Sequence, residues 1–481
     1  MKRPSVKTGY PRRKCFADAT GIAILVGVVV SCFSIEPSHT LAQTVETTQS
    51  ENLWTRTTGE DWSTFLGPTG DGKSVEKGVL KDWSKGKLKV VWKMEAGQGY
   101  GIGSVAKGRF YHFSKGKGRL GKTSLRCLNA ETGNPIWNFE YESKYRDLYG
   151  YDNGPRTSPV IDGNRIYIFG VEGMLYCLDS MTGKEIWKVN TAKRFGVIQN
   201  FFGVASTPVI FDDLLIVMIG GSPEESKKAP PGALQLVKPN GTGVVAFDKK
   251  TGRVRYESVD DLASYASLKL ADIDGEPVVL AWMRESLHGL NPKTGEVKFD
   301  FPWRARMLES VNASTPLVFE NQVLISECYK IGSALLRVDG GEAIPVWTDK
   351  EKGRDKALEA HWNTPIRLGD SIFGCSGRHA RPAELRCVDW ATGKVNWSKP
   401  GLSRSSVTWI DDHFIVMGEE GDLLLIKSNS ESYQEVTRYE AGEDGVKFAS
   451  PCWAAPIVSH GLMYVRGRDQ LVCFELIPDR N

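Results

Sequence analysis

Residues 116–123, GKGRLGKT, match the phosphate-binding pattern G-x-x-x-x-G-K-[ST] letter for letter. That chemistry needs a strand before the loop and a helix after it, because the phosphates rest on free N–H groups at the helix N-terminus. Here the loop lies between Phe110-Tyr111-His112-Phe113 and a second strand-like run at 125–128, so it reads as a basic hairpin. The glycine-rich run at 97–103, GQGYGIG, also leads into a strand, which argues against a dinucleotide site and for an approach of the chain to the central axis of its fold. Asp272-Ile273-Asp274-Gly275 lacks the alternating ligands and terminal glutamate of a calcium loop and reads as a hairpin turn. The seven histidines form no HxH or HxxxH pair, which gives no zinc site, and no GxSxG elbow supplies a nucleophile.

Cysteine chemistry is equally sparse. The nine cysteines include no CxxC and no adjacent pair. Cys127, Cys177, Cys387 and Cys473 fall at one repeated position and read as small buried hydrophobes, while spacing alone assigns no role to Cys328, Cys375 or Cys452.

The elements that must position any site are set by a repeat, L-x-C-L-[ND]-x-x-T-G-x-x-x-W. It reads LRCLNAETGNPIW at 125–137 and LYCLDSMTGKEIW at 175–187, then VVAFDKKTGRVRY, LHGLNPKTGEVKF, LLRVDGGEAIPVW and LRCVDWATGKVNW, with truncated copies LLLIK and LVCFE. Each copy has the chemistry of a β-hairpin: an apolar strand, a turn opened by Asp or Asn, a glycine able to take positive φ, and an aromatic on the return strand. The turn residue stands eight positions before the aromatic in Asn129/Trp137, Asp179/Trp187, Asp248/Tyr256, Asn291/Phe299, Asp339/Trp347 and Asp389/Trp397. The fifth copy has Glu342-Ala343 where the others have Thr-Gly, which predicts a different turn between strands that keep register.

Two further strands precede each hairpin. The first follows a small residue and often proline, as at Pro159, Pro208, Pro316, Pro365 and Pro456; the second is an apolar run after an Asp/Gly/Asn turn. Four strands per unit of about fifty residues make a propeller blade. The third-strand landmarks Leu128, Leu178, Phe247, Leu290, Val338, Val388, Ile426 and Phe474 number eight. The last blade ends after its third strand, and residues 87–94, KLKVVWKM, carry Trp92 at the position of the repeat aromatic. The expected fold is therefore an all-β, eight-bladed β-propeller of four-stranded antiparallel blades, closed by an N-terminal strand that pairs with the C-terminal blade and removes an open sheet edge.

At the N-terminus, basic residues precede an apolar run at 21–31, the layout of an export signal and short for a membrane span. Thr40-Leu41-Ala42 suits cleavage after Ala42, whereas Val29-Val30-Ser31-Cys32 resembles a bacterial lipobox, which would leave Cys32 lipidated and tethered to a membrane. The expected organisation is a signal peptide at 1–42, a polar linker at 43–60 and the propeller at 61–481, in an exported, periplasmic or outer-membrane-associated monomer. Removal of the first 42 residues leaves a net charge near −1, a balance that gives no support to a nucleic-acid partner.

The D-x-x-T-G-x-x-x-W hairpin resembles the pyrroloquinoline quinone (PQQ) repeat, over residues 61–476. The resemblance implies that Trp92, Trp137, Trp187, Tyr256, Phe299, Trp347 and Trp397 pack between blades. It points to two functional groups: quinone-dependent alcohol dehydrogenases, and the non-catalytic propeller lipoprotein of the outer-membrane β-barrel assembly machinery. The dehydrogenases hold PQQ near the axis with a calcium ion and an aspartate base. This chain lacks their vicinal cysteine pair, a c-type haem motif and their large insertions.

Residues entering the first strands should face the channel mouth: Tyr100, Asn153, Arg156, Asn200, Phe202, Arg306, Asn312, His361, Asn363, Arg404 and Trp453. Arginines mixed with amides and aromatics suit an anionic or carbonyl-bearing ligand better than a bare metal, and none of the set reads as a base. The expected function is an exported, non-catalytic scaffold that binds an envelope protein or extended peptide, with no cofactor. A PQQ- and calcium-dependent alcohol or sugar oxidoreductase and a carbohydrate- or small-anion-binding propeller are the alternatives. The charged, proline-rich insertion at 221–241 is a candidate partner contact on one rim.

Overall fold

The computed structural model describes residues 52–118, 121–443 and 445–479. The export segment and Cys32 lie outside the described residues, and no described helix is long and apolar enough to cross a membrane. Eight antiparallel sheets follow one another along the chain, each running from an inner strand of three to five residues to an outer strand. Blade 1 spans Ser104–Ala106 to Pro135–Tyr141 and blade 7 spans Ser406–Ile410 to Glu435–Arg438. Blade 8 takes its outer strand, Val90–Glu95, from the other end of the chain; Trp92 lies opposite Cys473 and Val90 opposite Phe474. The eight-bladed ring with this closure is the architecture that the repeat predicts.

The repeat residues explain both the turn and the seam between blades. Asp179 accepts the backbone N–H groups of Met181 at 3.1 Å and Thr182 at 2.8 Å together with the Thr182 hydroxyl at 2.8 Å, and Gly183 closes the turn at φ 71°. The aromatic of the preceding blade lies directly over that glycine: a Cβ on Gly183 would come within 2.5 Å of the Trp137 ring. Trp137 then donates its indole N–H to the Ser180 carbonyl at 3.1 Å. The same lock joins Trp92 to Gly133 and Ala130, Trp187 to Gly252 and Lys249, Tyr256 to Gly295 and Pro292, and Trp347 to Gly393 and Trp390. Trp397 donates to Asn429 in the truncated seventh copy at 2.9 Å.

Blade 5 is the exception, and it fits its neighbour. Its hairpin turns through Gly340 and Gly341, both at positive φ, and the aromatic that faces it is Phe299, which has no donor to give. Phe299 is instead buried among apolar residues that include Val323 and Val338. The Gly97–Gly103 run approaches blade 2 closely, where a Cβ on Gly101 would meet the Thr157 carbonyl at 2.3 Å. On either side of the GKGRLGKT loop, Lys115 and Thr123 face each other on antiparallel strands, and Asp272 to Gly275 form the turn between the first two strands of blade 4. All seven described cysteines are buried free thiols.

Residues 43–51 of the expected linker lie outside the described residues, and its remaining residues make contacts with the ring. Arg56 pairs with Glu475 at 2.8 Å, Trp54 stacks on His460 at 4.0 Å and Thr55 bonds to Glu131, so residues 52–60 are docked on blades 1 and 8. The following residues then cross the channel. Their carbonyls accept N–H groups from the inner strands of three blades: Trp62 from Val105, Ser63 from Ile161, and Gly72 from Trp409. Gly70 accepts from the Lys269 ammonium of blade 4. Lys73–Ser74 pairs parallel to Trp409 and Ile410, giving blade 7 a fifth, innermost strand. Four carbonyls of a short irregular segment are thus satisfied by the ring, which holds it against the inner strands.

Candidate ligand-binding site

With one end of the channel crossed in this way, the axis opens as a cavity of about 350 Å³ on the face where the first strands begin. Trp62, Phe65, Leu66, Asp71 and Gly72 of the crossing segment line it, together with mouth residues from most of the blades. The walls are aromatic. Trp362 and Trp453 lie 4.4 Å apart, Tyr100 approaches Trp453 at 4.6 Å, and Phe202 meets Tyr265 at 5.5 Å.

Four arginines stand in or beside this bowl, in different electrostatic states. Arg404 lies over both Trp362 at 4.8 Å and Trp453 at 5.3 Å, and is held by Glu419 through a two-point contact in which Nε donates at 2.9 Å. Trp453 donates to the same carboxylate at 2.9 Å, and these donors hold Glu419 below the usual carboxylate range against the opposing effect of burial. Arg156 pairs with the buried Asp147 at 2.6 Å. Arg466 donates to the Gly101 carbonyl at 2.5 Å and the Gly97 carbonyl at 3.2 Å, which ties the glycine-rich run to blade 8; burial lowers its pKa to about 10. Arg378 lies 4.5 Å over Tyr329, and among the described residues no carboxylate is within ion-pair distance of it.

His361 sits between these groups, its Nε2 3.3 Å from the Tyr329 hydroxyl and its ring 4.4 Å from Trp362. Burial and then the positive charges of Arg404 and Arg378 push its pKa down to about 3, so the imidazole is neutral at physiological pH.

Of the residues that the sequence places at the mouth, Tyr100, Arg156, Phe202, His361, Asn363, Arg404 and Trp453 line the cavity. Asn153 accepts the Asp147 N–H away from it, Asn200 donates to the Ala263 carbonyl in a side cleft, Asn312 donates to the Met283 carbonyl, and Arg306 is exposed. Those amides hold loops together. Sequence reasoning passed over Tyr149, Tyr151, Tyr265, Tyr329, Trp362 and Arg378 because they lie in connections outside the repeat, and over the crossing segment because nothing periodic marks it. Trp362, the direct neighbour of His361, was legible as an adjacent aromatic. The insertion at 221–241 contributes Leu234 and Val237 to a buried cluster with Phe201 and Tyr265, and leaves Leu236 exposed.

The cavity does not fit the calcium part of a quinone site. Asp71 and Glu309 are the carboxylates on its wall, Asp71 is paired with Lys73 at 2.6 Å, and the Asn363 amide is engaged by Ser405 and His361. Among the described residues no three His, Cys, Asp or Glu side chains converge as a metal-binding group, and no cysteine lines the wall. No redox step is assigned to these residues.

Fold and seams together define an eight-bladed propeller of the PQQ-repeat class with an aromatic, arginine-bearing axial bowl. The family model described as outer membrane protein assembly factor BamB matches residues 121–399, and the chain belongs to that family. It is 24% identical over 363 residues to the outer membrane protein assembly factor BamB of Shewanella oneidensis, covering 73% of this chain and 80% of the relative. Among solved structures it is similar to BamB from Moraxella catarrhalis, with 13% identity, a TM-score of 0.41 and coverage of 84% and 97% of the two chains. It is also similar to the quinohemoprotein alcohol dehydrogenase from Comamonas testosteroni, with 13% identity, a TM-score of 0.48 and coverage of 88% and 81%.

Proposed function

We propose that this protein is a non-catalytic scaffold of outer-membrane protein assembly, exported to the periplasm, that binds a protein partner through the face bearing the axial bowl. Membership of the assembly-factor family supports the setting. The observation that carries the binding reading is an apolar rim on that face. Leu148, Tyr149 and Tyr151, in the connection from blade 1 to blade 2, are 42%, 53% and 54% exposed, and Tyr149 and Tyr151 line the cavity mouth. Leu236 of the insertion, 61% exposed, adds to the apolar surface. Exposed aromatics around a concave, partly charged site are what a protein or peptide interface uses. A lipid on Cys32 would hold the ring at the membrane as a monomeric tethered subunit, and mass spectrometry of the mature N-terminus distinguishes that from cleavage after Ala42.

The test is direct binding of the full chain to the purified subunits of its own barrel-assembly machinery and to an unfolded outer-membrane barrel protein. Binding that is lost in a Tyr149→Ser/Tyr151→Ser double variant of unchanged melting temperature is the expected result. Absence of binding to all of them, or alcohol oxidation with an added dye, quinone and calcium, would replace this reading with another.

A further inference from the structure

Among the described residues, the bowl contains a cation with no carboxylate partner, Arg378. Arg156 and Arg404 have carboxylate partners, and Arg466 is consumed by two backbone carbonyls. Among the described residues, the Arg378 guanidinium lies over the Tyr329 ring and meets the Met307 sulfur at 3.5 Å. Glu309 lines the same cavity, and among the described residues no ion pair joins it to Arg378. A guanidinium in a partly enclosed, aromatic-walled site gains most from a planar oxyanion that can accept two of its N–H groups.

A second observation points the same way. The indole N–H of Trp362 and Nδ1 of His361 are both buried, and neither has a hydrogen-bond partner. Buried polar atoms are ordinarily paired; other unpaired ones are spread over the described ring, and these two belong to residues that line the cavity. Arg378 connects to these two residues through continuous contacts: its guanidinium lies over Tyr329, Tyr329 meets His361, and His361 meets Trp362. The cation and these two buried polar atoms therefore belong to one wall, with the Trp362 and Trp453 rings beside them.

We propose that this wall binds a carboxylate carried by an extended peptide, with Arg378 as its counterion and Trp362, His361 and Trp453 holding the carboxylate and an adjoining apolar side chain. The inference rests on the partner-binding reading and adds the chemistry of the group recognised. The carboxylate can come from a chain end or from an acidic side chain beside an apolar residue, and the two sources present the same oxygens.

Isothermal titration of the full chain tests this. The probes are N-acetyl-tryptophan and its primary amide, and an eight-residue peptide ending in tryptophan. The peptide is prepared as the free acid, as the amide, and as the amide with aspartate beside the tryptophan. The acids should bind at least about tenfold more tightly than the plain amides, the usual effect of a charge-assisted hydrogen bond. Arg378→Gln should abolish that preference, and Arg378→Lys should retain part of it. Rescue by the aspartate peptide identifies an acidic side chain as the source, and its failure identifies the chain end. Equal affinity for acid and amide overturns the inference, as does a preference that survives in an Arg378→Gln variant with an unchanged melting temperature. If the peptides bind without regard to charge, partner binding stands and the carboxylate site falls. If N-acetyl-tryptophan binds through Arg378 while every peptide and envelope protein fails, the wall takes only a small carboxylate, and both the peptide inference and the scaffold reading fall.

Discussion

The seams between blades and the mouth of the channel solve opposite problems with similar residues. At five of the seams an aromatic ring covers a glycine that has no side chain, and its one N–H or O–H meets one carbonyl of the next blade. At the mouth, aromatics stand beside arginines, two rings expose much of their surface, and a cation and buried polar atoms are left without partners. Unpaired buried polar atoms are spread over the described ring, so it is the exposed aromatics beside a cation with no carboxylate partner that single out the concave face for binding.

Breaking the ring tests the structural half of this contrast with the largest expected effect. Removing residues 1–95 takes away the outer strand of blade 8 and the segment that crosses the channel, leaving Leu471, Cys473 and Phe474 at an open edge. The truncated chain should lose cooperative unfolding and aggregate, as read by circular dichroism melting and light scattering. A soluble chain that still melts cooperatively would mean that closure is dispensable.

A single seam comes next. Trp187→Ala removes a 9%-exposed indole and its bond to Lys249, and should destabilise the fold by about 3–5 kcal/mol, measured by denaturant unfolding. Gly183→Ala attacks the neighbouring seam from the other side. Its methyl would need a left-handed backbone at φ 71° and would stand 2.5 Å from Trp137, so a loss of about 2–3 kcal/mol is expected. Pairing Gly183→Ala with Trp137→Ala should recover part of that loss by removing the clash. Strict additivity would show that the ring and the glycine act independently.

The two regions also differ in how far they could be read beforehand. The seams were legible because Asp179, Thr182, Gly183 and Trp187 each perform a local task at fixed spacing, and repetition averages away single departures such as Phe299. Blade count and closure followed from the same regularity. The mouth was legible only in part. Arg404 and Trp453 sit at predictable strand entries, but entry positions do not distinguish a side chain that faces the axis from one that fastens a loop, as Asn200 and Asn312 do. The crossing segment could not be anticipated from residues 62–74, because its conformation is fixed by carbonyls that meet the inner strands of several blades and by no pattern of its own.

The smallest effect sharpens the contrast through pH. The seam donors are indoles and a phenol bonded to carbonyls, and do not titrate near neutrality. Glu327, at the end of the second strand of blade 5 and two residues before Tyr329 of the bowl, is buried, and desolvation raises its pKa to about 7, although the N–H groups of Tyr329 and Ile331 pull the other way. In the unfolded chain the same carboxyl ionises near 4.5. Between those values the folded state holds the extra proton, so this group lowers stability as pH rises from about 4.5 and the penalty is complete above about 7. Glu327→Gln removes the titration. The stability of the variant relative to the parent should therefore improve by on the order of 2 kcal/mol between pH 5 and pH 8, in paired denaturant curves. A gap that does not change with pH would place the Glu327 carboxyl in a better solvated state than its surroundings indicate, while Trp187→Ala, assayed alongside, should show the same deficit at both pH values.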